Sequence, residues 1–315
     1  MKRRLFNTLL CILLALFLVD RLGGMLMSQI ARHTHDVLGP KLRSLDEGIT
    51  ADVVLMGTSR CHHHYVPSIL SDTLGMSVYN AGVGGSDNIF SHYLVLRHVL
   101  AHHTPKVICL DVMTSDFAPE TAPFLALSYF APLFGHCEEA DSLFMLAGTY
   151  WRYKLSHLYR YNAKAASNIL GLVMNRQKDA EEGYMPLPKP AQVPLGPIKE
   201  KLVTGRDTLK LDYLRRFIGL CHNRRVMLVF VVSPRLTIVE GNQYEALKAI
   251  AQENGVPFLD YHGQQLYHNH PEYFKDALHL WDEGARVFSS RFASDLRQLV
   301  DHGVVDHGVV SPDHF

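Results

Sequence analysis

Five short apolar runs alternate with helix-like segments along the chain, and this alternation limits the possible folds more than any other feature. The runs are rich in β-branched residues and are bounded by glycine, proline or polar residues; they cover 53–56, 76–81, 106–112, 225–232 and 256–261. Continuous apolar strands of this kind are typical of parallel sheets that helices cover on both faces. The sequence therefore predicts a three-layer α/β/α sandwich around a parallel, flavodoxin-like five-stranded sheet with the strand order 2-1-3-4-5.

Residues 113–205 interrupt this alternation. The stretch is rich in aromatic residues and closes with prolines at positions 186, 188, 190, 194 and 197. We interpret it as a helical insertion with a proline-rich return, whose aromatic side chains either pack it onto its domain or line a substrate groove. The predicted organisation is an anchor at 1–27, a linker at 28–50, an α/β domain at 51–300 that contains the insertion, and a tail at 301–315.

The N-terminus has the pattern of a membrane-targeting segment. Three basic residues at 2–4 precede a largely apolar stretch at 5–19, and a second stretch of apolar or small residues covers 22–27. No Ala-x-Ala cleavage site follows, so we predict an uncleaved, single-pass signal anchor rather than a cleaved signal peptide. Because basic residues tend to stay in the cytoplasm, the rest of the protein should lie on the extracytoplasmic, periplasmic side.

Charge and cysteine content argue against several classes of function. The 31 basic residues balance 31 acidic ones, without the clustered basic excess that nucleic-acid binding requires. The five cysteines form no Cys-x-x-Cys pair, which argues against a zinc site or a redox pair, although an exported protein could form a disulfide. Three adjacent histidines at 62–64 cannot all face one metal ion from a regular element. We therefore predict no metal and no cofactor, and the sequence indicates no particular oligomeric state.

A serine stands where the first predicted strand ends. Ser59 follows Gly57 and Thr58 at the carboxyl edge of the sheet, where open α/β sheets bind ligands. Such a serine can cap a helix or fill a turn; as a nucleophile it needs a base that a third group orients. His279 can supply the base and Asp276 the group that orients it, because positions i and i+3 lie on one side of a turn. The G-x-S-x-G elbow of α/β-hydrolases is excluded, since position 61 is a cysteine.

Three blocks stand in an order that resembles the SGNH/GDSL hydrolase superfamily. They are Gly57-Thr58-Ser59-Arg60 after the first strand, Asn80-Ala81-Gly82 after the second, and Asp276-Ala277-Leu278-His279 before the last helix. The resemblance is greater to its membrane-anchored bacterial branch, whose first block reads G-S/T-S-R, and it covers about residues 50–300 without the insertion. It implies ester hydrolysis or acyl transfer, with Ser59 as nucleophile, His279 as base and Asp276 as the residue that orients the base.

The resemblance also implies an oxyanion hole, a set of donors for the negative oxygen of the reaction intermediate. The backbone N–H of Ser59 would contribute to it together with that of Gly84 or Gly85, and Gly82 is a further candidate.

The family's third block, Gly-x-Asn-Asp, is absent from this sequence. Residues 110–116 stand in its place and read Leu-Asp-Val-Met-Thr-Ser-Asp, so Asn88 or Asn80 is the candidate for a replacement side-chain donor. Arg60 and one of the histidines at 62–64 could line the mouth of the pocket and bind an anionic group of the substrate. The alternative for Arg60 is a solvent-exposed ion pair.

Together these features predict a membrane-anchored, extracytoplasmic serine esterase or O-acyl(acetyl)transferase. Its substrate would be an acylated carbohydrate or lipid of the cell envelope. The alternative is a non-catalytic binding or assembly protein that retains the fold. The distance between the side chains of Ser59 and His279 discriminates between the two, because a base must lie within hydrogen-bond reach of the proton that it takes.

Overall fold

The structure is a computed structural model that describes residues 1–34, 38–86, 88–173, 181–199, 205–238, 244–301 and 309–310. The chain divides into two compact units, one made of Met1–Glu47 with Phe124–Lys178 and the other of Gly48–Pro123 with Asp179–Phe315. Both ends of the predicted insertion at 113–205 therefore belong to the unit that carries the sheet, and its middle belongs to the unit that carries the N-terminal helix.

The central sheet is parallel. Its strands in chain order are β1 Val53–Met56, β2 Val78–Asn80, β3 Val107–Asp111, β4 Met227–Val232, β5 Phe258–Asp260 and β6 Val309–Val310. They lie side by side in the order β2-β1-β3-β4-β5-β6. The predicted order of the first five strands is confirmed. The sixth strand comes from the tail and pairs with β5, and a separate two-stranded ladder joins Ile198–Lys199 to Thr237–Ile238.

The helices of the sheet unit lie in the connections between strands. They are α3 Ser59–His64, α4 Pro67–Leu74, α5 Ile89–His102, α9 Thr208–Asn223, α10 Glu245–Glu253, α11 Gln265–His268 and α12 Asp282–Asp301, with 3₁₀ turns at Thr114–Phe117 and Pro271–Tyr273. Local chemistry sets several of their ends. Pro67 begins α4 and Gly75, in the left-handed region at φ 67°, ends it. Asp207 caps α9 by accepting from the N–H groups of Leu209 and Lys210.

The strands are apolar throughout because helices cover both faces of the sheet. All four residues of β1 and all five of β3 are buried. One face packs against α4 and α12, whose buried side chains form a single apolar core with it; these include Leu70, Leu74, Phe288, Phe292 and Leu296. The other face is covered by α5 and α9, which also pack on each other. This arrangement is the predicted three-layer sandwich.

The other unit is built around the long N-terminal helix. It contains α1 Lys2–His33, α2 Gly39–Glu47, α6 Glu138–Leu146, α7 Tyr150–Leu155 and α8 Ala165–Val173, with 3₁₀ segments at Leu125–Leu133 and Leu158–Tyr161. Among the described residues, α1 is the one helix long and apolar enough to cross a membrane, with a mean hydropathy of 2.2 over its most apolar window. The side of the membrane on which the rest of the chain lies stays a prediction from the basic residues at 2–4.

Candidate active site

The end of β1 brings Ser59 to the carboxyl edge of the sheet. Gly57 follows the strand with φ 152°, and a Cβ there would come within 2.8 Å of the Cys61 Cβ and 3.0 Å of the Asp111 carbonyl oxygen. Only glycine fits this close approach, which turns the chain out of the strand. Ser59 is then the first residue of α3. Because β1 lies between β2 and β3, the serine stands at the point where the strand order reverses.

The turn before α12 carries the other two predicted residues. The Asp276 carboxylate accepts from the backbone N–H of Leu278 at 2.8 Å and from that of His279 at 2.9 Å, which closes the turn. The same carboxylate lies 3.0 and 3.1 Å from the His279 Nδ1. On the other side of the ring, His279 Nε2 lies 2.8 Å from the Ser59 Oγ. The structure thus brings together Ser59, His279 and Asp276 in one hydrogen-bonded chain.

The charge of Asp276 fixes which atoms donate and which accept in this series of hydrogen bonds. Partial burial acts to raise its pKa, but the hydrogen bonds from the His279 ring and from the Leu278 and His279 backbone outweigh it and lower the pKa of Asp276 to about 2. The carboxylate is therefore ionised at neutral pH and can only accept. His279 Nδ1 then carries the hydrogen, and Nε2 is free to accept one from the Ser59 hydroxyl. The His279 side chain is 21% exposed, so the site is open to solvent on one side.

Two backbone N–H groups beside Ser59 are candidates for an oxyanion hole. A Cβ built on Gly84 would lie 3.8 Å from the Ser59 Cβ, which places the backbone of Gly84 next to the serine. Among the described residues, neither the Ser59 nor the Gly84 N–H donates to a protein acceptor. Gly85, in the left-handed region at φ 79°, follows in the same turn. Gly82 is not available, because its N–H donates to Asn80 Oδ1 at 3.0 Å.

The two asparagines that we predicted as side-chain donors have other roles. Both amide hydrogens of Asn80 are used, one by the Cys61 carbonyl at 2.7 Å and one by that of Tyr65 at 3.0 Å. Asn88 caps α5: its Oδ1 accepts from the N–H of Phe90 and Ser91, and its Nδ2 donates to the Pro123 carbonyl. The prediction is therefore corrected. Asn80 braces α3 against β2, and Asn88 begins a helix, a role that its place just before an apolar helical run could have indicated.

Arg60 does not line a pocket mouth or form a solvent-exposed ion pair, so both interpretations of it were wrong. Its side chain is buried, with 1% of its surface exposed, and its Nη2 lies 2.7 Å from the Asp111 carboxylate. The guanidinium also donates to the carbonyls of Val112 and Ser233, and the Tyr65 hydroxyl donates to the other Asp111 oxygen at 2.8 Å. Arg60 thus ties the ends of β1, β3 and β4 together. Asp111 belongs to the stretch 110–116, which thus contributes a buried ion pair.

The histidines after Ser59 surround the His279 turn. His63 donates through Nδ1 to the Met185 carbonyl at 2.8 Å, and its ring meets that of His279 edge-on at 5.9 Å. His64 Nε2 accepts from the backbone N–H of Leu280 at 3.0 Å, directly beside His279. Burial, together with the nearby His279 and Arg60, holds the pKa of His64 well below its usual value. Among the described residues, no group of three side chains could hold a metal ion.

A segment inside the predicted insertion, around the start of its proline-rich return, covers α3, and sequence analysis did not foresee this contact. The N–H of Met185 donates to the His62 carbonyl at 3.1 Å, and the N–H of Asp282 donates to the Leu187 carbonyl at 3.1 Å. The Tyr184 hydroxyl donates to the Asp282 carboxylate at 2.8 Å. This segment therefore joins α3, which carries Ser59, to the start of α12, which follows His279. Its irregular backbone has no periodicity from which the contact could be predicted.

Comparisons with known proteins do not show a family for this chain. No family model matches the chain, and no curated protein matches it either. Among the matching solved structures is that of a "putative acylhydrolase" from Bacteroides fragilis, which is 12% identical and covers 83% of this chain and 94% of its own, with a TM-score of 0.40. A similarity this low carries no argument about this chain.

Proposed function

We propose that this chain is an SGNH-type serine esterase or O-acyl(acetyl)transferase that forms an acyl-enzyme at Ser59. The observation that supports the proposal is the hydrogen-bonded chain in which His279 Nε2 lies 2.8 Å from Ser59 Oγ while Asp276 accepts from Nδ1. A nucleophile, a base and an orienting carboxylate within these distances are the components of serine acyl transfer. The nucleophile and the base come from distant parts of the chain, since Ser59 and His279 are 220 residues apart.

The proposed reaction uses each group in turn. As the Ser59 oxygen attacks the ester carbonyl carbon, its proton moves to His279 Nε2, and Asp276 stabilises the resulting imidazolium. The carbonyl oxygen becomes negative and is bound by the N–H groups of Ser59 and Gly84. When the intermediate collapses, His279 gives its proton to the leaving alcohol. Water or a second hydroxyl then attacks the acyl-serine by the same steps in reverse, which yields hydrolysis or transfer respectively.

The proposed substrate is an acylated carbohydrate or lipid of the cell envelope. The support for it is α1, which is long and apolar enough to anchor the chain in a membrane. The three basic residues at 2–4 favour a cytoplasmic N-terminus and an extracytoplasmic active site.

A second candidate function is that of a non-catalytic binding or assembly protein. The observation that favours it is that neither predicted side-chain oxyanion donor is placed for that role: both Asn80 amide hydrogens bind backbone carbonyls, and Asn88 caps a helix. Loss of one such donor in a serine hydrolase typically costs about 10²–10³ in kcat.

Turnover of p-nitrophenyl acetate by the full chain in detergent tests the proposal. We expect hydrolysis by the natural sequence, none by Ser59→Ala, and full activity in Ser290→Ala, whose exposed hydroxyl only donates to the Arg286 carbonyl. Adding an alcohol acceptor then separates transferase from hydrolase, because a transferase forms the new ester faster than free acetate. No hydrolysis or transfer by a folded natural sequence would favour the binding protein.

A further inference from the structure

The N-terminal helix changes its surroundings abruptly at Asp20. Every residue from 1 to 19 is exposed, whereas from Asp20 onward one face of α1 is covered, with Gly24 and Met27 buried. The exposed apolar stretch at 5–19 would be about 22 Å long at about 1.5 Å per residue. The hydrocarbon core of a bilayer is about 30 Å thick. If α1 spans a membrane and the basic residues at 2–4 mark the cytoplasmic edge of that core, about 8 Å of the core surrounds the part of the helix that follows Val19.

That part of α1 is held by the turn that follows α7. The Asp20 carboxylate accepts from the Ser156 hydroxyl, from the N–H of His157 at 2.9 Å and from that of Leu158 at 3.3 Å. Arg21 donates to the Leu155 carbonyl at 3.2 Å. The Asp20 carboxylate thus has three hydrogen-bond donors within the protein and Arg21 has one acceptor, which suits a place where water is scarce.

Close packing fixes the same turn against the next part of the helix. A Cβ on Gly24 would lie 2.5 Å from the His157 Cβ, so α1 and the turn meet at a distance that only glycine permits. The turn and the adjoining α7 are therefore held at the depth of residues 20–24 of α1.

The outer surface at this depth is apolar. Trp151 and Leu155 lie one helical turn apart on α7 and are 64% and 71% exposed, and Leu158 in the next turn is 40% exposed. We call these three residues the α7 face. Lys154 Nζ lies 5.3 Å from the Trp151 ring centroid, and Leu22, Met25 and Leu26 of α1 are exposed as well. Aromatic, aliphatic and lysine side chains together are typical of elements that lie at a membrane surface.

We propose that the α7 face inserts into the interfacial region of a phospholipid bilayer beside α1. The protein is then held at the membrane by the α1 span and by an interfacial helix that Asp20 fixes to it. This inference rests on the proposed membrane anchor and is independent of the chemistry at Ser59. The occupant is a lipid surface, because the depth of the face follows from the length of α1 and its exposed residues are of the types that lipid interfaces favour.

The chain has two tryptophans, which allows a direct test. The full chain with Trp281→Phe, in which Trp151 is the sole emitter, is reconstituted into phosphatidylcholine vesicles with or without 6,7-dibrominated acyl chains. We expect the bromines to reduce Trp151 emission at least two-fold, and aqueous iodide to quench it weakly. Bromines at positions 11 and 12, deeper in the bilayer, should quench less. The Trp151→Phe variant, measured in parallel, gives the emission and quenching of Trp281.

Flotation of the same vesicles distinguishes failure of this inference from failure of the anchor. Vesicles that carry the protein upward, with Trp151 quenched by iodide and not by bromine, would overturn the interfacial face and leave the anchor intact. A chain that does not float would overturn both. Neither result bears on catalysis, which the ester assay measures separately.

Discussion

In the proposed reaction Ser59 depends on the ring of His279 for its reactivity, so replacing either side chain should abolish turnover. At neutral pH an unassisted serine hydroxyl stays protonated, and the base lies 2.8 Å away. We predict that Ser59→Ala and His279→Ala each lower acetyl-ester turnover by roughly 10⁶-fold and Asp276→Asn by about 10⁴-fold, with little further loss in the Ser59→Ala/His279→Ala double variant. Turnover and thermal melting of all four variants check this.

The matched control is His222→Ala, because His222 is exposed on α9 in the sheet unit. It should keep full activity. A folded His279→Ala variant with unchanged turnover would contradict the assignment and direct attention to the histidines at 62–64 as the base.

His64 should act as a positioning residue for the His279 turn. Its Nε2 accepts from the Leu280 N–H at 3.0 Å, and His64→Phe would leave that buried N–H unpaired at a cost of about 1–3 kcal/mol. Since small displacements of a catalytic group can cost up to about 10²-fold, we expect kcat to fall far more than KM changes. His64→Gln, which retains an acceptor, should recover much of the loss. Equal activity in the phenylalanine and glutamine variants would show that the contact does not position His279.

The three side chains of the hydrogen-bonded chain were the easiest part of the site to predict. Ser59, Asp276 and His279 stand in short blocks whose residue types and order carry the signal. Arg60 and Asn80 were misjudged because their partners lie on distant strands, and a single charged or amide side chain in a sequence does not reveal whether it will be buried.

Helices and strands followed from sequence to different degrees. The limits of α4 are set by its own sequence, because Pro67 and Gly75 act through local backbone geometry. The predicted strands were each longer than observed at one or both ends, except β1. The region at 262–280 contains α11 and a 3₁₀ turn, and elements of three or four residues are too short to show a periodicity in the sequence. The pairing of Val309–Val310 with β5 depends on a contact with a strand about fifty residues earlier.

Two helical glycines should respond to alanine in opposite ways. Gly219 lies inside α9 with no atom within 4 Å of a built Cβ, so Gly219→Ala should raise the free energy of unfolding by about 0.5–1 kcal/mol. In α12, a Cβ on Gly284 would lie 2.3 Å from the Tyr273 carbonyl oxygen, so Gly284→Ala should destabilise the protein. Urea unfolding of both variants measures the difference. Destabilisation by Gly219→Ala equal to that by Gly284→Ala would contradict the packing described for the two helices.

The stability of the protein should fall as the pH drops below about 7. Burial, and then the neighbouring charge of Arg235, lower the pKa of His262 to about 3, and the pKa of His64 is also well below its usual value of about 6.5. Below pH 6.5 the unfolded chain therefore binds protons that the folded chain does not. Stability is full above that pH and decreases as the pH falls, by up to about 1.4 kcal/mol per pH unit for each such histidine.

Urea midpoints at pH 7.5, 6 and 5 measure this slope. The range stays above the ordinary pKa of 3.8 that Asp276 has in the unfolded chain and above its pKa of about 2 in the folded protein, so its own contribution is constant there. The His262→Gln variant should show a slope smaller by about one proton. Equal stability at pH 7.5 and pH 5 would contradict the account of these buried, neutral histidines.

The proposal that this chain uses a serine nucleophile is tested most directly by covalent labelling. The full chain is treated with a fluorophosphonate, digested, and the modified peptide identified by mass spectrometry. We predict one adduct on Ser59, none in Ser59→Ala and only slow labelling in His279→Ala, because the probe reacts with a serine that a base has activated. The absence of an adduct on the folded natural sequence, or an adduct on a different serine, would contradict the proposed function.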